Sequence, residues 1–267
     1  MSEAVKAQPL ILQQIAAAER SRGALFRVQF AVVWAVLIGA LVAVLASSNN
    51  IDLPWFGEYA TFILAGSGIT VFVCLASISV AVVFALLGAL ARLSRSAVVY
   101  AVGSLYVSLV RGTPLLVQVF FVYYALADIG VVIDPIPAGI LALSFNYGAY
   151  MTEIFRAGIQ AVPRGQREAA HALGMQERLI MRRIVMPQAI RIVIPAVGNE
   201  FIAMIKDSSL VAIIGVQELL WRANTAGTPT LHRLQAFLLA ALVYWILTIV
   251  FSFFQERMER RLARGDR

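Results

Sequence analysis

The 267 residues are 60% hydrophobic and only 14% charged, with a formal net charge of +7 at pH 7. A soluble domain of this length carries about a quarter charged residues, so the composition places the chain in a membrane class. The positive balance alone would also suit a nucleic-acid binder, but the single cysteine, Cys74 in an apolar run, excludes a disulfide framework or a thiolate metal site within the chain.

Residues 1–25 form a polar tail in which Lys6, Arg20 and Arg22 outnumber Glu3 and Glu19, and 9–18 suits a short amphipathic surface helix. Residues 26–47 read as a transmembrane helix. Their apolar run exceeds a signal-peptide core of about 7–15 residues, and about 20 residues cross a hydrocarbon core about 30 Å thick. Residues 48–66, with Asn49, Asn50, Asp52, Pro54 and Glu58 but no Lys or Arg, read as a loop. A second span over 68–91 ends at Arg92 and Arg95. The apolar stretch 96–127 is too long for one untilted crossing at about 1.5 Å per residue. Arg111-Gly112-Thr113-Pro114 breaks it, so a kinked or restarted helix is predicted there. A small outer loop over 128–137 and a fourth span over 136–155 follow.

The longest polar interruption is 156–191. Pro163 cannot continue a helix but can open one, and Gly165 is a second breaker. Good helix formers run over 166–173, and Gly174 is placed for a left-handed stop. A second helical run over 176–186 is closed by Pro187. Ala169 and Ala170 are small enough for another protein's backbone to approach, and Glu168 is placed in the first turn, where the macrodipole favours an acid. A fifth span over 190–220 is interrupted by Pro195, Asn199, Glu200 and Lys206-Asp207-Ser208-Ser209. A loop with Gly227 and Pro229, a sixth span over 234–254 and a basic tail over 256–267 complete the chain.

Basic residues orient it. With the N-terminus inside, cytoplasmic segments hold 18 of the 22 Lys and Arg, while the outer loops hold only Arg222 and Arg233. This positive-inside asymmetry predicts six spans with both termini cytoplasmic. It accounts for the net charge without nucleic acid.

The two lysines, Lys6 and Lys206, are not preceded by Gly, so no P-loop is present. His171 and His232 are far apart, with no zinc-ligand spacing, and there is no Gly-x-Ser-x-Gly elbow. The chain reads as a non-enzyme without a cofactor or metal of its own. What remains is polarity inside the membrane. A charge at mid-bilayer costs about 2.5–3.5 kcal/mol on insertion scales, so Arg111, Glu153, Glu200, Lys206 and Asp207 should pair or line a cavity. Glu153 and Arg156, three apart on one face, suit a pair at the inner interface. For Arg111, stabilising the kink and contacting a solute stand as equal alternatives. Irregular backbone at membrane depth is tolerated where it is buried in protein or lines water, which favours a translocation path at 199–209 over a purely structural network.

Glu168-Ala169-Ala170, Gly174 three residues on, and Ile184-Val185-Met186-Pro187 nine residues beyond that resemble the cytoplasmic coupling loop of ABC-importer permeases, with Met186 where Leu is usual. Arg111-Gly112-Thr113-Pro114-Leu115-Leu116-Val117-Gln118, Thr152 to Ile159 and Asn199 to Leu210 narrow the likeness. Over about 65–255 the chain resembles the histidine/glutamine-type branch of the polar amino-acid uptake permeases. That resemblance implies an all-α membrane fold, with a five-helix type I permease core and 26–47 as an extra N-terminal span. It implies the permease subunit of a binding-protein-dependent amino-acid importer in the bacterial plasma membrane. Implied partners are two ABC ATPase subunits that bind the ATP, an extracytoplasmic amino-acid-binding protein, and a second permease copy or paralogue. The coupling loop, about 160–190, would meet the ATPase through Glu168, Ala169, Ala170, Gly174 and Pro187. The candidate substrate path comprises Arg111, Thr113, Glu200, Lys206, Asp207 and Ser208. An importer for another small solute, or a stand-alone secondary transporter, is the alternative.

Overall fold

The computed structural model describes residues 25, 26, 28–40, 43 and 52–263, and among these there are helices and short turns but no strand. The chain divides into two compact units, residues 1–53 and 54–267. In the first, α1 (Val28–Ala40) is an apolar helix within the predicted first span. The surface helix expected over 9–18 lies outside the described residues.

In the second unit the loop expected over 48–66 is largely helical. Helix α2 (Leu53–Leu64) leads almost directly into α3 (Gly66–Arg92). Pro54 lies in the first turn of α2, where its missing N–H is harmless, so it starts a helix rather than marking a loop. The buried face of α3 repeats every three or four residues as Gly66, Thr70, Val73, Ser77, Ala81, Ala85 and Gly88. These small side chains let α3 lie close against α6 (Pro135–Gln160), a packing mode suited to a membrane, where no hydrophobic force drives helices together. A Cβ on Gly148 of α6 would stand 2.6 Å from Phe84 Cβ, and one on Gly88 would stand 2.2 Å from Thr152 Oγ1. Ser144 Oγ bonds Ser77 O at 3.0 Å across the same seam.

Gly148→Leu is therefore expected to destabilise the fold by about 3 kcal/mol or more through overpacking. Gly68→Leu, where a Cβ meets nothing within 4 Å, should not. Thermal challenge followed by size-exclusion chromatography separates the two outcomes.

The kink predicted at residues 111–114 is a sharp corner. Helices α4 (Ala97–Gly112) and α5 (Leu115–Asp128) meet at 109°. Pro114 disfavours helical backbone at the residue before it, and Thr113 is accordingly extended, with ψ 142°. Gln118 seals the turn: its Nε2 donates to Val110 O at 2.8 Å, Thr113 O at 3.1 Å and Thr113 Oγ1 at 3.0 Å.

Helix α7 (Arg164–Ala172) is followed by α8, a helical run from Glu177 to Ile214. Here two expectations are corrected. Pro187 does not close the second coupling helix, and the fifth span is not interrupted at Pro195, Asn199 or Glu200. A π turn over Met181–Val185, in which Met186 N–H bonds Met181 O, shifts the register by one residue. Pro187 then enters at the first turn of the continuing segment Met186–Asp207, where no N–H is required. Regular α geometry ends only at Ser208, in a 3₁₀ segment (Ser208–Ile214) stopped by Gly215 at φ +92°.

The loop expected near Gly227 is mostly helix α9 (Leu219–Gly227), capped by Glu218, whose carboxylate accepts from Trp221 N at 2.9 Å. Glu218 is fully buried and also bonded by Thr70 and Tyr244, so it ties α9 to α3 and α10. Helix α10 (Arg233–Ala263) continues past the predicted sixth span into the basic tail.

Among the described residues, α2–α3, α8 and α10 are long and apolar enough to cross a membrane, and the bent pair α4–α5 makes a fourth. Six spans were expected. The 26 residues of α6 have the length but not the hydropathy. Much of it is packed against other helices, which admits buried Ser144, Asn146, Tyr147 and Thr152.

Candidate functional site

Where the α4–α5 corner faces the middle of α6 and the C-terminal half of α8, a cavity of about 520 Å³ opens. Arg111, Thr113, Glu200 and Asp207 line it, four of the six residues proposed for a path. The other two do not. Ser208 is fully buried, its hydroxyl donating to Ile205 O at 2.7 Å, and Lys206 is exposed on another face of α8. The reason is angular. Residues 200, 203 and 207 share one helical face, whereas residue 206 is rotated about 100° from 207.

Three lining residues on α6 were missed: Asn146, Tyr147 and Tyr150. The signal was present as a polar run in the middle of an apolar span. Asn146 Nδ2 donates to Gln118 Oε1 at 3.2 Å, fixing the corner to α6. Tyr147 donates to Asp207 Oδ2 at 2.8 Å. The Arg111 guanidinium sits 5.1 Å from the Tyr150 ring centroid, a cation–π distance. Thr113 lines the cavity, but its hydroxyl donates to Leu109 O at 3.0 Å and accepts from Gln118. It serves the corner.

Arg111 forms no ion pair with Glu200 or Asp207, and among the described residues the Glu200 carboxylate has no hydrogen-bond partner. The cavity therefore presents opposite charges that do not neutralise each other by contact. A larger groove of about 840 Å³ between α3, α8 and α10 is almost wholly aliphatic and aromatic and offers little to orient a polar solute.

The second candidate element is the polar hairpin. Its corner is a Schellman motif: Met175 N–H bonds Ala170 O at 3.1 Å and Gly174 N–H bonds His171 O at 2.9 Å. Gly174 has φ +72°, the left-handed stop expected of it. His171 Nε2 meets Glu177 Oε2 at 3.0 Å across the turn. Ala170 is buried against Val162, Ile180 and Val185, a small core that holds the hairpin's shape. Glu168, Ala169 and Pro187 face outward, as does Leu173, which is 81% exposed at the tip. Helix α7 starts at Arg164, so Glu168 lies in the second turn rather than the first, and its dipole role is withdrawn. Above the hairpin, Glu153 pairs with Arg156 at 2.6 Å, as the spacing suggested, and with Arg92 of α3 at 3.2 Å.

Residues 81–264 match the family described as binding-protein-dependent transport system inner membrane component. The chain is 42% identical over 217 residues to the L-cystine transport system permease protein TcyB of Bacillus subtilis (strain 168), covering 79% of this chain and 92% of that one. It is 36% identical over 218 residues to the arginine transport system permease protein ArtQ of the same organism, covering 81% of this chain and all of that one. A putative glutamine transport system permease protein, GlnP of Rickettsia bellii (strain RML369-C), is 35% identical, with 78% of this chain and 95% of that one aligned. Among solved structures, an amino acid ABC transporter crystallised with histidines superposes with a TM-score of 0.76 at 37% identity, over 79% of this chain and 99% of that chain. An inward-facing MetNI methionine ABC transporter shares the fold, with a TM-score of 0.58 at 15% identity over 79% of this chain and 99% of that chain.

Proposed function

The chain belongs to the family of binding-protein-dependent transport system inner membrane components, and from that premise we propose that it is the membrane-spanning subunit of an ATP-driven amino-acid importer. The observation that carries the reading is the cavity at the α4–α5 corner, with the Arg111 guanidinium and the carboxylates of Glu200 and Asp207 around one polar space. An amino acid presents an ammonium and a carboxylate to match. Arg111 faces the substrate carboxylate, while Glu200 or Asp207 receives the ammonium.

The sequence has no P-loop, so ATP is bound and hydrolysed by two partner subunits. They dock on the exposed side of the hairpin through Glu168, Ala169 and Leu173, and the buried Ala170 side makes the hairpin a rigid lever. A binding protein delivers the amino acid from outside, and a second copy or paralogue of the chain completes a central passage. Substrate need only interact differently with the outward-open and inward-open states to be accepted and released.

The test is reconstitution. Co-purification with an ATP-hydrolysing subunit, and proteoliposome uptake that requires ATP and binding protein, is the expected result. Uptake by the chain alone, driven by an ion gradient, would overturn it.

The orientation with both termini cytoplasmic is checked separately by labelling single cysteines in a Cys74→Ser background. Val132→Cys and Leu231→Cys, at positions 82% and 88% exposed, are expected to react with an impermeant maleimide from outside. Gly165→Cys and Arg261→Cys should react only from inside. Outside labelling at residue 165 would remove the ATPase docking site.

A further inference from the structure

Lys206 is a charge in α8 that the cavity does not use. It lies in a helical run long and apolar enough to cross a membrane, and it is exposed. Among the described residues it has no ion pair or hydrogen bond. Ile192, Asn199 and Lys206, spaced by seven residues or nearly two full turns, form one ridge, and all three are exposed. Asn199 is satisfied inside the chain, its Oδ1 accepting from Gln255 Nε2 at 2.8 Å. Lys206 is not. Its stem is also too short to carry the ammonium out of the membrane. Five bonds of about 1.5 Å extend roughly 6 Å. The steps from Lys206 to the stop at Gly215, at about 1.5 Å in α and 2.0 Å in 3₁₀ geometry, cover roughly 17 Å. A lysine held at such depth faces water or protein rather than hydrocarbon.

A second copy, related by a two-fold axis along the membrane normal, places Lys206 of the partner subunit at the same depth. Two ammonium groups do not pair with each other, so both face the water of the passage between the copies. The charge count gives them a task. Each cavity carries two carboxylates, Glu200 and Asp207, against one guanidinium, Arg111. That excess negative charge would draw inorganic cations into an open passage. We propose that Lys206 and Lys206 of the partner subunit cancel it and so keep the open passage closed to K⁺ and Na⁺, as fixed positive charges do in selective pores. With Lys206 the four side chains of each copy sum to zero, and without it to one negative charge. A unit charge about 8 Å away, at an effective dielectric of about 20, changes local cation occupancy by more than a factor of ten. The residue thus serves transport without binding substrate. This rests on the importer reading above and adds to it what the passage excludes.

The experiment follows K⁺ entry during transport. The permease–ATPase complex is reconstituted in liposomes with the binding protein that supports its uptake, and K⁺ entry is read with a trapped K⁺-sensitive dye. The wild-type complex is expected to take up amino acid while K⁺ entry stays at the level of protein-free liposomes. Lys206→Met and Lys206→Gln should keep the half-maximal substrate concentration but admit K⁺ at least about tenfold faster during ATP turnover. Lys206→Glu should leak more, and Lys206→Arg, which changes shape but not charge, should stay tight. K⁺ entry at the wild-type level in the Met, Gln and Glu variants, or an equal leak in Lys206→Arg, overturns the inference and leaves the importer reading intact. Loss of the two-copy complex in every neutral variant also overturns it, because Lys206 would then be packed in protein rather than facing water. Absence of ATP-dependent uptake by the wild-type complex overturns both.

Discussion

Gly174→Val is expected to insert and fold normally yet lower uptake at least about tenfold. A Cβ at this position meets nothing within 4 Å, so packing does not oppose the substitution. The backbone does. At φ +72° a non-glycine residue pays about 1–2 kcal/mol, and a β-branched one more. Each 1.4 kcal/mol is about a factor of ten in the population of the native corner. When that corner relaxes, the Met175–Ala170 and Gly174–His171 bonds open, and Leu173 and Ala169 leave the geometry in which a partner would receive them. Gly174→Asn, which tolerates the left-handed region, should keep most of the activity. Proteoliposome uptake with parallel measurement of ATPase-subunit association checks both variants. Wild-type uptake by Gly174→Val would show that the corner's shape does not matter to coupling.

That glycine was readable in the sequence because its reason is local: helix formers before it, a second helical run after it, and a left-handed stop between. The 109° corner was readable for the same reason, from Thr113 and Pro114. Pro187 and Pro195 were misread because the rule for proline inside a helix gives a local penalty and cannot see a remedy placed elsewhere. The π turn four residues upstream removes the conflict at Pro187. The polarity of α6 is a tertiary property. Asn146 and Tyr147 are acceptable in the middle of this otherwise apolar helix because α3, α5 and α8 pack around it. Lys206 illustrates a different miss. The run 206–209 was treated as one polar block, although a period of 3.6 already separates residue 206 from the face shared by 200 and 207. That face, rather than the run, holds the acids of the cavity.

Glu200→Gln is expected to raise the concentration of loaded binding protein or substrate needed for half-maximal uptake by about tenfold or more, while ATP hydrolysis stays dependent on both. The magnitude follows from losing one charge-assisted hydrogen bond, about 1.5–3 kcal/mol. The competing role is a gate, in which the membrane charges satisfy one another and hold the passage closed. On that role Glu200→Gln would instead release substrate-independent ATP hydrolysis or a leak. The geometry weighs against it within one chain, because Glu200 has no hydrogen-bond or ion-pair partner among the described residues and the Arg111 guanidinium sits over the Tyr150 ring rather than against an acid. A charge already satisfied by its neighbours gains nothing from a solute, whereas an unsatisfied one at membrane depth is stabilised most by the solute that completes it. Lys206→Met supplies the contrast: lying off the cavity face, it should leave the half-maximal concentration unchanged. If Glu200→Gln also transports like wild type, with hydrolysis still tightly coupled, neither the path nor the gate runs through this cavity.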